Sequence, residues 1–338
     1  MENVLNDFLA NAKNALSSDY AMGIVEKSGD LRSVFNNIIE IIKNRFFIPS
    51  WVYIAAALIL LAVIFEIFKC SFKSYVVALA VNYVLRILLC SALMIPMFET
   101  ISQVMNYMQE TVAFLGILAP TLGTLSAAGG NITCAANSSL FLSVLISGFQ
   151  ILISGVVPFT CALFSGITVI DCVNIDGKML TLSQSLKNVC YTLFSVAIAL
   201  FFIILGTKSL AAAGADRFSA KALRVMMGTT VPIVGGTLGE AIKLVGGSIV
   251  AVKNTVGISA VAFLLAMYIP PLFVLWWDGV LLDILVFLCD YFGVSAFKNV
   301  FIHIKYMLGF MLAAFTATFV LGMLNIGVFM QTMPALMA

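Results

Sequence analysis

The chain has 338 residues, of which 62% are hydrophobic and only 10% are charged, and its formal net charge is +2. Because soluble domains carry about a quarter charged residues, this composition predicts an all-α, polytopic integral membrane protein. The small net charge, without a run of basic residues, argues against nucleic-acid binding.

Reactive side chains are few. The seven cysteines are scattered through apolar segments without a CxxC pair, which is typical of small buried hydrophobes. The single histidine, His303, lies in an apolar segment beside Lys305, and a structural role is favoured. Walker-type and HExxH motifs are absent from the sequence. We therefore expect no catalytic activity, no metal and no cofactor.

The N-terminal half begins with a polar region, 1–50, that contains an amphipathic helix and is expected to lie at the membrane surface or outside it. No cleavable leader is visible, so either the first span directs insertion or an upstream segment is absent from this chain. A two-span hairpin follows over 51–98, with spans at 51–68 and 75–98. Lys69 and Lys73 make its loop cytoplasmic, which predicts an extracytoplasmic N-terminus.

The rest of the chain presents the same order of segments twice: a short proline–glycine segment, a broken apolar pair and a clean span. An external loop carrying Glu99 and Glu110 is expected before the first set. The segments of the first set are 111–130, 139–173 (broken near Pro158) and 187–207. Those of the second set are 230–248, 255–292 (broken around Pro270 and Pro271) and 300–324.

This order predicts an internal duplication, with repeat 1 over 104–213 and repeat 2 over 216–328. An offset of 112 residues aligns several uncommon residues: Gly116 with Gly228, Pro120 with Pro232, Pro158 with Pro270, and Asp171 with Asp283. The loop charges start repeat 1 outside and repeat 2 in the cytoplasm. Each repeat would then cross the membrane an odd number of times, which is an inverted-topology repeat with a broken segment in each half.

The two proline–glycine segments are the candidate functional site, as a pore constriction or as a seam where copies and partners pack. Irregular or charged backbone at membrane depth is tolerated only where protein or water surrounds it. Close helix packing alone would also explain glycines at this spacing. The candidate residues are Pro120, Gly123, Gly129 and Gly130 in the first segment, and Pro232, Gly235, Gly236, Gly239, Glu240, Lys243, Gly246, Gly247, Lys253 and Asn254 in the second.

The charges among these residues have local explanations as well. Glu240 and Lys243 are three residues apart, so they would neutralise each other on a helix. Lys253 and Asn254 are expected at a helix boundary near the cytoplasmic face, where the lysine either snorkels to the interface or lines a pore.

Arg86 is an isolated charge near the middle of the second span. An ionised group there costs about 2.5–3.5 kcal/mol, so it must face protein or water. Glu66 differs from it in depth by roughly 13 Å, which is too far for a direct pair.

Five short stretches together resemble one known family. They are SAAGG (126–130), LKNV (186–189), ADRFSAKALR (215–224), VPIVGGTLGEA (231–241) and SIVAVKNTVGI (248–258). In this order they are similar to the stage III sporulation protein AE family, from about residue 100 to the end. The resemblance implies a protein of the mother-cell-derived membrane around the forespore. It also implies partners: the other proteins of one complex, including a forespore membrane protein, with which it forms a channel likened to secretion systems.

Three functions follow from this reading. The leading one is a non-enzymatic channel or export-gate subunit of the sporulation complex. A homo-oligomer is a possible assembly, and a ring of copies would favour this function over the other two. The second is a self-contained secondary transporter in which Glu240, Lys243 or Arg86 couples an ion. The third is a membrane scaffold for the complex that does not conduct.

Overall fold

The computed structural model describes residues 36, 39, 49–68, 75–128, 146–173, 179–196, 199–200 and 235–331. Within these ranges the chain is helical and contains no strand, which confirms the all-α prediction. The helices are α1 (Ser50–Phe68), α2 (Tyr75–Ala128), α3 (Ile146–Val173), α4 (179–196), α5 (Gly235–Tyr291) and α6 (Ser295–Gln331).

Five of these helices contain a stretch long and apolar enough to cross a bilayer, as expected of a multi-pass membrane protein. The stretches are Ser50–Phe68, Leu79–Leu118, Ile146–Val173, Ala260–Tyr291 and Phe297–Met323. The first and last coincide closely with the predicted spans 51–68 and 300–324. The amphipathic helix predicted within 1–50 falls almost wholly outside the described residues, as does the end of the predicted span 187–207.

Helix α2 differs from the prediction, because it continues through the expected external loop. Residues 99–110 are helical, and Glu110 is buried with only 6% of its surface exposed. The physical reason is a stripe of apolar side chains at helical spacing that packs into the bundle. This stripe consists of Ile101, Val104, Met108, Val112 and Leu115.

Helix α3 is irregular where the sequence predicted a break. Leu152–Val156 form a π-helical turn, and the helix then continues through Pro158 to Val173. A proline ring clashes with the carbonyl group four residues earlier, here that of Ser154, which lies inside the π turn. The wider turn relieves this clash, so the proline distorts the helix and does not end it.

Helix α5 is continuous from Gly235 to Tyr291, so the breaks predicted in this region are not seen. The helix passes through Pro270 and Pro271, whose missing N–H groups are tolerated in membrane helices when neighbouring groups compensate. Lys253 and Asn254 lie inside the helix, which corrects the prediction of a helix boundary at that point. The inverted repeat is not confirmed, because α3 and α5, which it aligns, both run antiparallel to α6 and therefore parallel to each other.

Helix α6 lies at the centre of the described bundle, in contact with α2, α3 and α5. It is antiparallel to α3, since Asp171 meets His303 while Ser165 meets Met307. It is antiparallel to α5 as well, and it is parallel to α4. The α5 and α4 contacts that show this are Asp283–Lys305, Asp290–Lys298, Lys187–Tyr306 and Tyr191–Phe310.

Candidate functional site: a polar cluster inside the bundle

A carboxylate and an imidazole meet inside the bundle, between α3 and α6. Asp171 Oδ2 lies 3.3 Å from His303 Nε2, and the side chains are 4% and 0% exposed, respectively. This distance is that of an ion pair, but the geometry does not align Nε2 for a hydrogen bond. Within the described part of the chain, Asp171 Oδ1 and His303 Nδ1 also make no hydrogen bond. The pair therefore keeps unused hydrogen-bonding capacity in a dry environment.

Local sequence explains why both side chains point inwards. On α6, His303 shares a face with Val300, Ile304 and Met307, whose side chains are at most 1% exposed. On α3, Asp171 continues a buried face at helical spacing, formed by Val157, Cys161, Phe164 and Thr168. Apolar packing thus forces the two polar groups together, because each lies in register with the residues that hold its helix in place.

Helix α2 contributes a cationic side chain, Arg86, and a thiol, Cys90, to the surroundings of the Asp171–His303 pair. The Cys90 thiol of α2 lies within hydrogen-bonding reach of the Cys172 thiol of α3. Both the Asp171 and the Arg86 charges act on Cys172. Arg86 is half-buried, and its Nε atom is fully enclosed by protein. We call these residues the polar cluster: Arg86, Cys90, Asp171, Cys172 and His303.

The polar cluster contains a guanidinium, a carboxylate and an imidazole, so a cationic and an acidic side chain lie on either side of the same thiol pair. These groups lie within three candidate spans, where ionisable side chains are uncommon. Among the described residues, no three His, Cys, Asp or Glu side chains are placed to hold a metal ion.

The glycine- and proline-rich candidates lie elsewhere. Pro120 is exposed on α2, and Gly123 is part of the same helix. Gly129, Gly130 and Pro232 lie outside the described residues. The second segment, from Gly235 to Asn254, forms the first turns of α5. Its backbone is helical, and its role as a pore constriction or packing seam stays a prediction.

The sequence singles out Arg86 as an isolated charge but not the residues around it. It predicts a structural role for His303 and presents Asp171 only as the repeat partner of Asp283. The described cysteines are free and mostly buried, as expected, but the contact between Cys90 and Cys172 was not foreseen. The one available signal was the position of Asp171, an acidic residue within a long apolar segment, since such residues are costly in a membrane.

The fold and the polar cluster define a polytopic helical membrane protein with ionisable side chains inside its bundle. The family model described as stage III sporulation protein AE matches residues 19–332, so the chain belongs to that family. This membership confirms the resemblance found in the sequence and supports a role in sporulation.

One curated relative is the stage III sporulation protein AE of Bacillus subtilis (strain 168). It is 22% identical over 238 residues, which cover 70% of this chain and 59% of the relative. The match therefore spans less than two thirds of that relative's length. No solved structure matches the chain.

Proposed function

We propose that the protein is a non-enzymatic channel or export-gate subunit of a mother cell–forespore complex. Its partners would be the other stage III sporulation proteins, including one in the forespore membrane. It would lie in the mother-cell-derived membrane with its N-terminus outside the cytoplasm. The observation that carries the proposal is the polar cluster, where Asp171 and His303 meet, both buried, within two candidate spans and near one end of each.

The cost of the polar cluster is the argument for function. An ionisable residue costs about 2.5–3.5 kcal/mol at the centre of a membrane helix on insertion scales and less towards its ends, where Asp171 lies, and such residues commonly mark ion paths and gates. A protein that only anchors other subunits could join α3 to α6 with apolar residues at no such cost. Family membership points to a complex in the sporulating cell, and the polar cluster points to transport within it.

The proline–glycine segments have a place in this proposal. Residues Pro120 to Gly130 and Pro232 to Gly247 would form the constriction of the path, or the seams where copies and partners meet. Glycine allows helix backbones to approach closely, which serves either role. The described part of the second segment is helical, and a pore-lining helix with glycines on one face is compatible with that geometry.

A secondary transporter is the second candidate function, and the Asp171–His303 pair favours it. A carboxylate and an imidazole buried between two helices would be able to couple ion binding to a change in helix packing. A transporter would work alone and would accumulate solute against a gradient, whereas a channel subunit would need its partners.

The deciding experiment measures passage and assembly together. Wild-type chain and the variants Asp171→Asn and His303→Gln would be expressed in sporulating cells and tested for co-purification with the partners. Transfer of a small fluorescent solute from mother cell to forespore would be followed in the same cells. Variants that assemble but lose transfer support the channel. Variants that assemble and transfer normally favour the scaffold, and proton-driven uptake by the purified chain in vesicles favours the transporter.

A further inference from the structure

We propose that one face of α2 is lined by water and admits cations, and that this face forms a wall of the path. The second half of the proposal rests on the proposed channel function, but the first half does not. The face, which we call the polar face, consists of Glu99, Ser102, Asn106 and Gln109. All four side chains are exposed, and their spacing of three and four residues places them on one side of the helix.

The polar face lies at the depth of the apolar spans. A groove of about 420 Å³ separates Ser102, Asn106 and Gln109 from α3, where Pro158, Cys161 and Ser165 form the opposite wall; Glu99 is exposed beside the groove. Ser165 also hydrogen-bonds to Met307 of α6, at 3.4 Å. Beyond the other end of the face, Thr111 contacts Met267 of α5 at 3.7 Å. The polar face therefore lies between the Ser165–Met307 contact and the Thr111–Met267 contact, both of which are within the candidate spans of α3, α5 and α6.

Lipid is a poor neighbour for such a surface. An amide or hydroxyl group in hydrocarbon without a partner costs roughly 2–7 kcal/mol, and a carboxylate costs more. Polar groups at this depth are tolerated where protein covers them or where water fills a cavity. The polar face is exposed on the single chain, so one of these two environments must be supplied in the membrane.

The carboxylate of Glu99 favours a hydrated environment for the polar face over a dry protein interface. Amides can satisfy one another across a dry helix interface, because each both donates and accepts hydrogen bonds. A carboxylate in the same row would lose its hydration in that interface, which costs several kcal/mol unless a cation accompanies it. Water along the polar face would solvate the exposed carboxylate beside the groove as well as the amides that line it.

The chemistry of the face also selects what it would admit. Its one charged group is a carboxylate, and rings of acidic side chains favour cations over anions in channels. The amides and the hydroxyl group can replace part of a hydration shell without holding an ion tightly. The surface continues through Ala113, Gly116 and Pro120, which are also exposed and leave room beside the helix. We therefore expect small hydrated cations and uncharged polar solutes, rather than anions.

The test is thiol modification of the full chain in its assembled complex, on a background without reactive native cysteines. Ser102→Cys, Asn106→Cys and Gln109→Cys would each be treated with cationic and anionic methanethiosulfonates. The matched control is Phe159→Cys, which lies on α3 beside the groove-lining Pro158 and is 65% exposed but does not line the groove. Because thiolates react in water and not in lipid, modification of the three positions should be at least about tenfold faster than at the control.

Charge selection provides the second readout. The cationic reagent should react about threefold faster than the anionic one, and Glu99→Gln should abolish that difference. Rates no faster than at Phe159→Cys would overturn the inference even if the complex conducts, since the path would then lie elsewhere. Rapid modification in a complex that passes no ions would support the water-lined face and contradict the proposed function.

A second variant keeps the test independent of cysteine replacement. Glu99→Gln in the native background changes one exposed group and should lower the ratio of cation to anion permeability of the reconstituted complex. An unchanged ratio would contradict the assignment of Glu99 to the path.

Discussion

Gly309 of α6 lies directly against the hydroxyl group of Tyr191 on α4. A Cβ atom at Gly309 would come within 2.9 Å of Tyr191 Oη, closer than real Cβ atoms approach other groups. Helix α4 packs on α6 through this contact and through the ring of Phe310, whose centroid is 6.0 Å from that of Tyr191. Lys187, one turn earlier, lies 4.5 Å from the Tyr306 ring. The absence of a side chain at Gly309 thus sets how closely these parallel helices approach.

The first prediction concerns this contact. Gly309→Ala should destabilise the protein by about 1 kcal/mol, because the added methyl group must displace the half-buried Tyr191 ring from its contact with α6. Adding Tyr191→Phe should recover most of the loss by removing the clashing oxygen. The measurement is the free energy of unfolding in mixed detergent micelles. Gly279→Ala is the matched control, since a Cβ there meets nothing within 4 Å and should leave stability unchanged or slightly higher.

The second prediction concerns the energetic coupling of Asp171 and His303. In a double-mutant cycle with Asp171→Asn and His303→Gln, the two changes should be non-additive by about 0.5–3 kcal/mol, because the side chains interact in a dry environment. The same unfolding assay measures it. The exposed pair Asp290–Lys298, at 2.8 Å, is the control cycle and should give less than about 1 kcal/mol. Additive effects at the buried pair would show that the two side chains do not interact.

The third prediction uses the thiols of the polar cluster. Oxidation with copper phenanthroline should form a disulfide between Cys90 and Cys172, because their side chains lie within hydrogen-bonding reach of each other across α2 and α3. Mass spectrometry of the digested protein would identify the linked peptides. Cys161 and Cys289 are also buried and free, so they serve as internal controls and should remain reduced. A bridge to either control in place of the expected one would contradict the packing of α2 on α3.

Some of this architecture could be predicted from the sequence because a membrane imposes simple rules on it. Apolar length alone located α1 and the span of α6. The same rules predict an external loop at 99–110, because Glu99 and Glu110 are acidic. The structure has a helix there, since the buried apolar stripe of α2 continues through these residues. The polar cluster could not be predicted, because it depends on which faces of α2, α3 and α6 meet.

The repeat hypothesis shows the same limit. It aligns Asp171 with Asp283, and in the structure both contact α6, at His303 and Lys305, respectively. One pair is buried and the other is exposed, so equivalent sequence positions have different environments. The spacing of residues could suggest the correspondence, but the environment of each pair depends on the packing of the whole bundle.

The last prediction concerns the candidate segment 230–253, whose described part is helical from Gly235. Single cysteines along it, on a background without the native cysteines, would be treated from the cytoplasmic side with an impermeant thiol reagent in sporulating cells. If the segment lines the path, reactive positions should recur every three or four residues, because a helix presents one face to water. If it is a packing seam, the whole segment should be protected while the complex stays assembled.

Repeating the scan without the partner proteins separates a path that the chain forms alone from one that the complex completes. A reactive face that persists without partners favours a transporter, because that chain would hold its own water-filled cavity. A face that becomes reactive only with partners favours a channel subunit, since the aqueous path then exists only in the assembly. Protection in both cases, together with normal assembly, would contradict a conducting role for this segment and leave the polar face of α2 as the remaining candidate wall.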